Sequence, residues 1–185
     1  MRRSLGTDVE ERTEPDLEII RMRRRHLKGV MAIERQVYPR PWSPSLFLSE
    51  MNELRNRTYL VAKLGREVVG YGGMMIYGGD EAHVTNIAVD PAYHRQKIGT
   101  RLLYELIQEA LRFGARAVSL EVRVSNWGAQ RLYSRFGFRP VGIRKNYYQE
   151  TNEDAIVMWT DNIRSPEYRA TLERIVAGVH QEPFD

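Results

Sequence analysis

Midway along the chain the hydrophobic period changes from two to 3.6 and back again, and this change most narrows the folds open to it. Residues 58–64, 68–77 and 82–89 are β-rich runs, the first two joined by a short link at residues 65–67 that contains Gly65. Three successive runs with tight links make an antiparallel meander. Immediately afterwards Ile98, Leu102, Leu103, Leu106, Ile107, Ala110 and Leu111 recur at helical spacing, with Gly114 placed as a C-cap. Residues 117–124 then return to a strand pattern. A strand, a helix and a strand in that order require a right-handed crossover and a parallel strand pair. The sheet is therefore mixed.

The flanking sequence extends the pattern. Residues 17–22 read as a first strand, and Val30, Ile33, Glu34 and Val37 lie on or beside one face of a helix starting near Arg24. Pro39, Pro41 and Pro44 interrupt the chain, and Ser43 with Pro44 caps a second helix reaching about Leu54. Residues 126–136 form a helix ending at Gly137, and residues 138–144 and 155–159 are the last strands. The order is β-α-α-β-β-β-α-β-α-β-β, a single α/β domain of the α+β mixed kind with a seven-stranded, mostly antiparallel sheet flanked by helices. Residues 1–16 are polar, without apolar period, and read as a flexible tail; residues 161–185 form an extension with a weakly amphipathic, helix-like stretch.

Composition limits the chemistry. At 185 residues, of which 42% are hydrophobic, the chain suffices for one domain with a real core and leaves little room for a second. No apolar run approaches the roughly 20 residues that cross a bilayer, and no signal-peptide core follows the first arginines, so a cytoplasmic location is expected. The absence of Cys excludes disulfides and thiolate chemistry, and the four His lack ligand spacing, so no metal is expected. Each end carries three Arg against five acids, so residues 17–160 hold a charge of +8 against +4 for the whole chain. A basic body between acidic ends suits a phosphorylated ligand or an RNA-rich partner, although a solvated surface is the commoner cause of such an excess. Direct nucleic-acid binding is not expected, because the basic cluster Arg21, Arg23, Arg24 and Arg25 has no interleaved aromatics.

The segment before the long helix bears chemistry on physical grounds. The first amides of a helix have no internal acceptors, so Arg95, Gln96, Lys97, Ile98, Gly99 and Thr100 present N–H groups, a helix dipole and two cations to an anion such as a pyrophosphate. An ordinary basic loop at a helix start is the alternative. In the strand at 117–124, alternation puts Ser119, Glu121 and Arg123 on the face opposite Leu120, Val122 and Val124. Pattern alone leaves Glu121 either in a cleft or paired with Arg123 at a surface. Tyr133 lies in a helical stripe with Ala129, Leu132 and Phe136, where a tyrosine is usually core.

Four stretches carry a more specific match: residues 86–91 leading to 95–99, residues 120–126, residues 132–138, and residues 146–148 with 153–155. In this order they resemble the GNAT superfamily of acetyltransferases, and within it the RimI family of ribosomal protein alanine N-acetyltransferases, across residues 17–160. The resemblance implies acetyl-CoA as donor and a protein N-terminus, that of an alanine-starting small-subunit ribosomal protein, as acceptor. It implies that the backbone of Ile87, Ala88 and Val89 holds the acetyl-pantetheine arm and that residues 95–100 hold the pyrophosphate. Asn126 then contacts the cofactor, caps the next helix, or does both. The same resemblance makes Glu121 the base, working through a water with its pKa raised by a partly buried cleft, and Tyr133 the acid for the departing thiolate. Substrate recognition falls to Tyr38 and Trp42 in one loop and to Tyr147 and Tyr148, beside Glu150 and Asp154, near the last strands. The chain departs from the family at Lys97, where glycine is usual, and at His94, where glutamine or arginine is usual. A lysine at positive φ there is strained by roughly 1–2 kcal/mol, which its ammonium could offset by pairing with a CoA phosphate. Lysine or small-amine acetylation, and a non-catalytic acyl-CoA-binding or ribosome-associated module, are the competing functions; oligomeric state is not legible.

Overall fold

The computed structural model describes residues 16–53, 55–78 and 80–180. All of the expected tail except Asp16 lies outside these residues, as do residues 181–185. The elements follow in the order β1 (Leu17–Arg21), α1 (Leu27–Val37), α2 (Pro44–Asn52), β2 (Arg57–Leu64), β3 (Glu67–Tyr77), β4 (Glu81–Val89), α3 (Ile98–Phe113), β5 (Ala117–Arg123), α4 (Trp127–Arg135), β6 (Arg139–Tyr148), β7 (Glu153–Thr160) and α5 (Pro166–His180). Seven strands form one sheet, ordered β1-β2-β3-β4-β5-β7-β6. Only β4 and β5 run parallel. Every other neighbouring pair is antiparallel, as the patterning predicts.

Helices cover both faces of the sheet, which is why β2 reads as an almost unbroken apolar run. Its Leu60 and Ala62 join Leu102, Leu103, Leu106 and Ile107 of α3, together with Tyr168, Leu172 and Ile175 of α5. Tyr59 and Val61 face the other way, onto Val30, Ile33 and Phe47 of α1 and α2. The ends of these helices are set locally. The Ser43 hydroxyl accepts from the Leu46 amide at 3.1 Å with Pro44 in the first turn, and Gly114 closes α3 at φ 91°, where a side chain would be strained.

The last two strands run further than their apolar pattern shows. β6 extends to Tyr148 and β7 begins at Glu153 because Asn146 adopts φ 48° and absorbs an irregularity in the pairing. Asp154 fixes that bulge, accepting from the Asn146 amide at 2.8 Å and the Lys145 ammonium at 2.7 Å.

One departure from regular pairing positions everything that follows. β5 pairs with β4 only across Glu81–Val84 and Ala117–Leu120. Beyond that point Asn86–Val89 stay with β3, while Glu121–Arg123 stay with β7. The β3–β4 register slips at Gly73/Met74, passing over Thr85 where the two strands part. A bulge there bends β4 away from β5 and leaves a wedge in the middle of the sheet.

Candidate active site

Glu121 is the first residue of β5 past the last β4 partner, so its carboxylate sits at the inner end of the wedge. Its side chain is only 8% exposed. One oxygen, Oε2, lies 3.0 Å from His83 Nε2, and the other, Oε1, lies 3.2 Å from Arg144 Nε. Sequence pattern offered Arg123 as the partner, but that guanidinium is taken by Glu150 at 2.6 Å and Glu153 at 3.0 Å. The expected rise in the Glu121 pKa is also corrected. The hydrogen bond from His83, aided by the charges of His83 and Arg144, outweighs desolvation and holds the carboxyl below its ordinary value. Burial supplied the expected penalty, but the fold brought His83 and Arg144 to the carboxylate with it.

Tyr133 is 8% exposed and packs against Phe138 with ring centroids 6.0 Å apart, so it belongs to the core stripe that its spacing suggests. Burial, with Tyr148 nearby, pushes its phenol well above the ordinary range, and burial, with Tyr133 nearby, does the same to Tyr38. The phenol is therefore grouped electrostatically with tyrosines from α1 and β6. Tyr38, at the end of α1, approaches the Ile87 carbonyl of β4 at 3.4 Å. Behind it Tyr71 donates to the buried Glu34, whose carboxyl is raised by desolvation against the pull of Tyr71 and the Trp42 amide.

The remaining aromatics divide. Trp42 is half-buried, with its ring 5.2 Å from Phe47 and its amide donating to Glu34 at 2.7 Å, so much of it serves packing. Tyr147 is exposed and meets Tyr148 edge-on at 5.1 Å. The Arg123 guanidinium lies 3.8 Å over the Tyr148 ring, and burial pushes that phenol up to about 12. Glu150 and Asp154, which sequence placed near an incoming amine, are held by Arg123 and by Lys145 with the Asn146 amide, respectively.

Residues 95–100 form the turn into α3. Arg95 (φ 65°) and Lys97 (φ 57°) are both left-handed, so the positive φ suspected at Lys97 is present. The side chain of the N-cap residue, Lys97, makes no capping hydrogen bond, and the 16 residues of the helix direct their dipole at this turn. The Lys97 ammonium donates to the Gly178 carbonyl of α5 at 3.0 Å, a partner that sequence did not suggest for it. A Cβ built on Gly99 would meet Leu132 at 3.5 Å and Val89 at 3.8 Å, ordinary contacts, so packing within the chain does not require glycine there. Ile98 and Thr100 are buried, while Gln96 is half-exposed. Asn126 caps α4, accepting from the Ala129 amide at 3.1 Å.

An open strand edge at Ile87, Ala88 and Val89, leading to the N-terminus of α3, has the donor set for an extended arm ending in phosphates. The model of the acetyltransferase (GNAT) family matches residues 27–138, more than half of the chain. The chain belongs to the GNAT acetyltransferase family. It is 40% identical over 134 residues to the ribosomal protein bS18-alanine N-acetyltransferase of Escherichia coli (strain K12), covering 71% of this chain and 88% of that protein. With the N-alpha-acetyltransferase RimI of Mycobacterium tuberculosis it shares 42% identity over 125 residues, 66% of this chain and 77% of that one. The crystal structure of the Escherichia coli ribosomal-protein-S18-alanine N-acetyltransferase superposes with a TM-score of 0.71 at 34% identity, covering 80% of this chain and 94% of that one.

In this GNAT chain the residues that pattern missed are His83, Arg144, Glu34 and Tyr71. His83 was within reach: it stands two residues after Glu81 on β4, and the parallel register pairs it with Ser119, two residues before Glu121. Arg144 was not, because it arrives from β6, the far strand of the sheet.

Proposed function

We propose that this protein transfers an acetyl group from acetyl-CoA to the N-terminal α-amine of a protein, an alanine-starting small-subunit ribosomal protein in the cytoplasm. The observation that carries this reading is the wedge itself, with the Glu121 carboxylate at its closed end and the N-terminus of α3 beside its open strand edge. The name of the Escherichia coli relative points to the acceptor, since it is an N-acetyltransferase of the alanine of a ribosomal protein.

Acetyl-CoA, when bound, supplies an activated thioester. Ile87, Ala88 and Val89 hold its arm by backbone hydrogen bonds, and Arg95, Gln96, Lys97, Ile98, Gly99 and Thr100 receive its phosphates, with Asn126 alongside. Glu121 takes a proton, through a water, from the attacking amine, whose unperturbed pKa is about 7.7–8.0. Tyr133 returns a proton to the departing thiolate. Its raised pKa keeps the phenol protonated at neutral pH, and the same desolvation makes the thiolate a stronger acceptor. Tyr38, Trp42, Tyr147 and Tyr148 form the acceptor side. Mass spectrometry of protein N-termini in cells with and without the protein tests this. Loss of acetylation from an alanine-starting ribosomal protein is expected, and an unchanged set of N-termini would refute the assignment.

A further inference from the structure

His83 stands in a hydrogen-bonded row along the sheet face that leads to Glu121. The Ser119 hydroxyl donates to Glu81 Oε1 at 3.1 Å, His83 Nδ1 lies 2.9 Å from Ser119 Oγ, and His83 Nε2 lies 3.0 Å from Glu121 Oε2. Hydrogen counting restricts this row. Ser119 gives its only hydrogen to Glu81, so the contact at Nδ1 must be an N–H donating to Ser119. A neutral imidazole then turns a bare Nε2 toward a carboxylate oxygen, and two acceptors cannot bond at 3.0 Å. One further proton must therefore lie between His83 and Glu121, on the imidazole or on the carboxyl. Neither group is fully exposed: the side chains keep 18% and 8% of their surface.

Resting on the assignment of Glu121 as base, we infer that His83 is a positioning residue that shares the substrate proton with Glu121, its tautomer set by Ser119 and Glu81. The row as it stands is the state after proton uptake; in the state before it the further proton has left to solvent and Nε2 is bare, and Glu121 gains an O–H bond as the amine loses its N–H bond. That O–H then breaks as Nε2–H forms, leaving an imidazolium beside an ionised carboxylate, and the proton leaves to solvent before the next turnover. The arrangement answers a difficulty: a carboxylate beside the Arg144 guanidinium is a weak acceptor for an amine proton, whereas an imidazole is a stronger base. The other groups facing the pair are Arg144, Tyr147 and Tyr148 of β6 and Tyr77 of β3, whose ring lies 6.0 Å from that of His83. None of them is a base of this kind at neutral pH.

Steady-state kinetics on an alanine-starting peptide, with carboxyl-carbon NMR titration of Glu121, test the inference. His83→Ala is expected to lower kcat roughly tenfold or more, leave the KM for acetyl-CoA within about twofold, raise the Glu121 midpoint and recover activity in added imidazole. His83→Gln keeps a donor for Glu121 but cannot take a proton, so it too should be slow while its Glu121 midpoint stays near that of wild type. The double variant with Glu121→Gln should be no slower than Glu121→Gln alone. Wild-type kcat in His83→Gln, or a multiplicative loss in the double variant, would overturn the sharing of the proton. Wild-type turnover in Glu121→Gln itself would instead remove the base assignment on which it rests.

Discussion

Glu121 is subject to two opposed influences, burial that favours its neutral form and hydrogen bonding that favours its charged form, and the second prevails. It is thus ionised throughout the neutral range, which keeps it ready to receive a proton. Replacing it with Gln is expected to lower kcat by about 10²-fold or more with little change in the KM for acetyl-CoA, as steady-state kinetics would show. Tyr133→Phe keeps the packing against Phe138 and removes only the hydroxyl, so a loss of kcat of roughly tenfold or more should come without a fall in Tm. Alternation along residues 117–124 was enough to put Glu121 and Leu120 on opposite faces. It could not show that His83 and Arg144 would meet the carboxylate, because those contacts depend on a parallel register and on a strand reached through β7. Glu34 was legible as a helix residue beside an apolar face, but its burial beneath Trp42 and Tyr71 depended on how α2 and β3 close over it.

Among the elements, α3 was the most legible and does two jobs. Its apolar face, from Ile98 to Ala110, anchors it to the sheet, and that anchoring points its N-terminus along the open edge of β4. Gly99→Ala separates the two jobs. A helix prefers Ala by about 1 kcal/mol and the added Cβ meets only ordinary contacts, so Tm should hold or rise. If residues 95–100 receive the phosphates as proposed, the same Cβ would crowd them, so the KM for acetyl-CoA should rise roughly tenfold, equivalent to about 1.4 kcal/mol. The β6–β7 pair was read too short because its extension depends on polar fixings that carry no apolar period. Hydrogen bonds and ion pairs hold Glu150, Glu153 and Asp154 below their ordinary values, as they do Glu121. For carboxyls with depressed folded pKa values, the stabilisation is present above the unfolded values of about 4 and is lost as pH falls through the folded ones. Hydrogen exchange across Arg139–Tyr148 and Glu153–Thr160 should therefore accelerate below about pH 4, earlier than exchange in α3. Equal onset in both would contradict that account.

At the scale of the whole molecule, the GNAT fold follows from a few local decisions: a meander, one right-handed crossover, and a bulge that parts β4 from β5. The first two are visible in hydrophobic period. The bulge is not, because nothing in the composition of residues 82–89 marks Thr85 as the residue the ladder passes over. α5 adds a feature of its own by joining the core of the α3 face and accepting the Lys97 ammonium at Gly178, so the turn before α3 is tied to the C-terminal helix. The central claim is that this wedge acetylates a backbone α-amine. Purified protein, acetyl-CoA and a peptide beginning with Ala and containing an internal Lys test it most directly, with fragmentation mass spectrometry locating the added acetyl group. The account predicts modification at the N-terminal nitrogen and none when that nitrogen is blocked; acetylation of the Lys side chain alone, in either peptide, would contradict it.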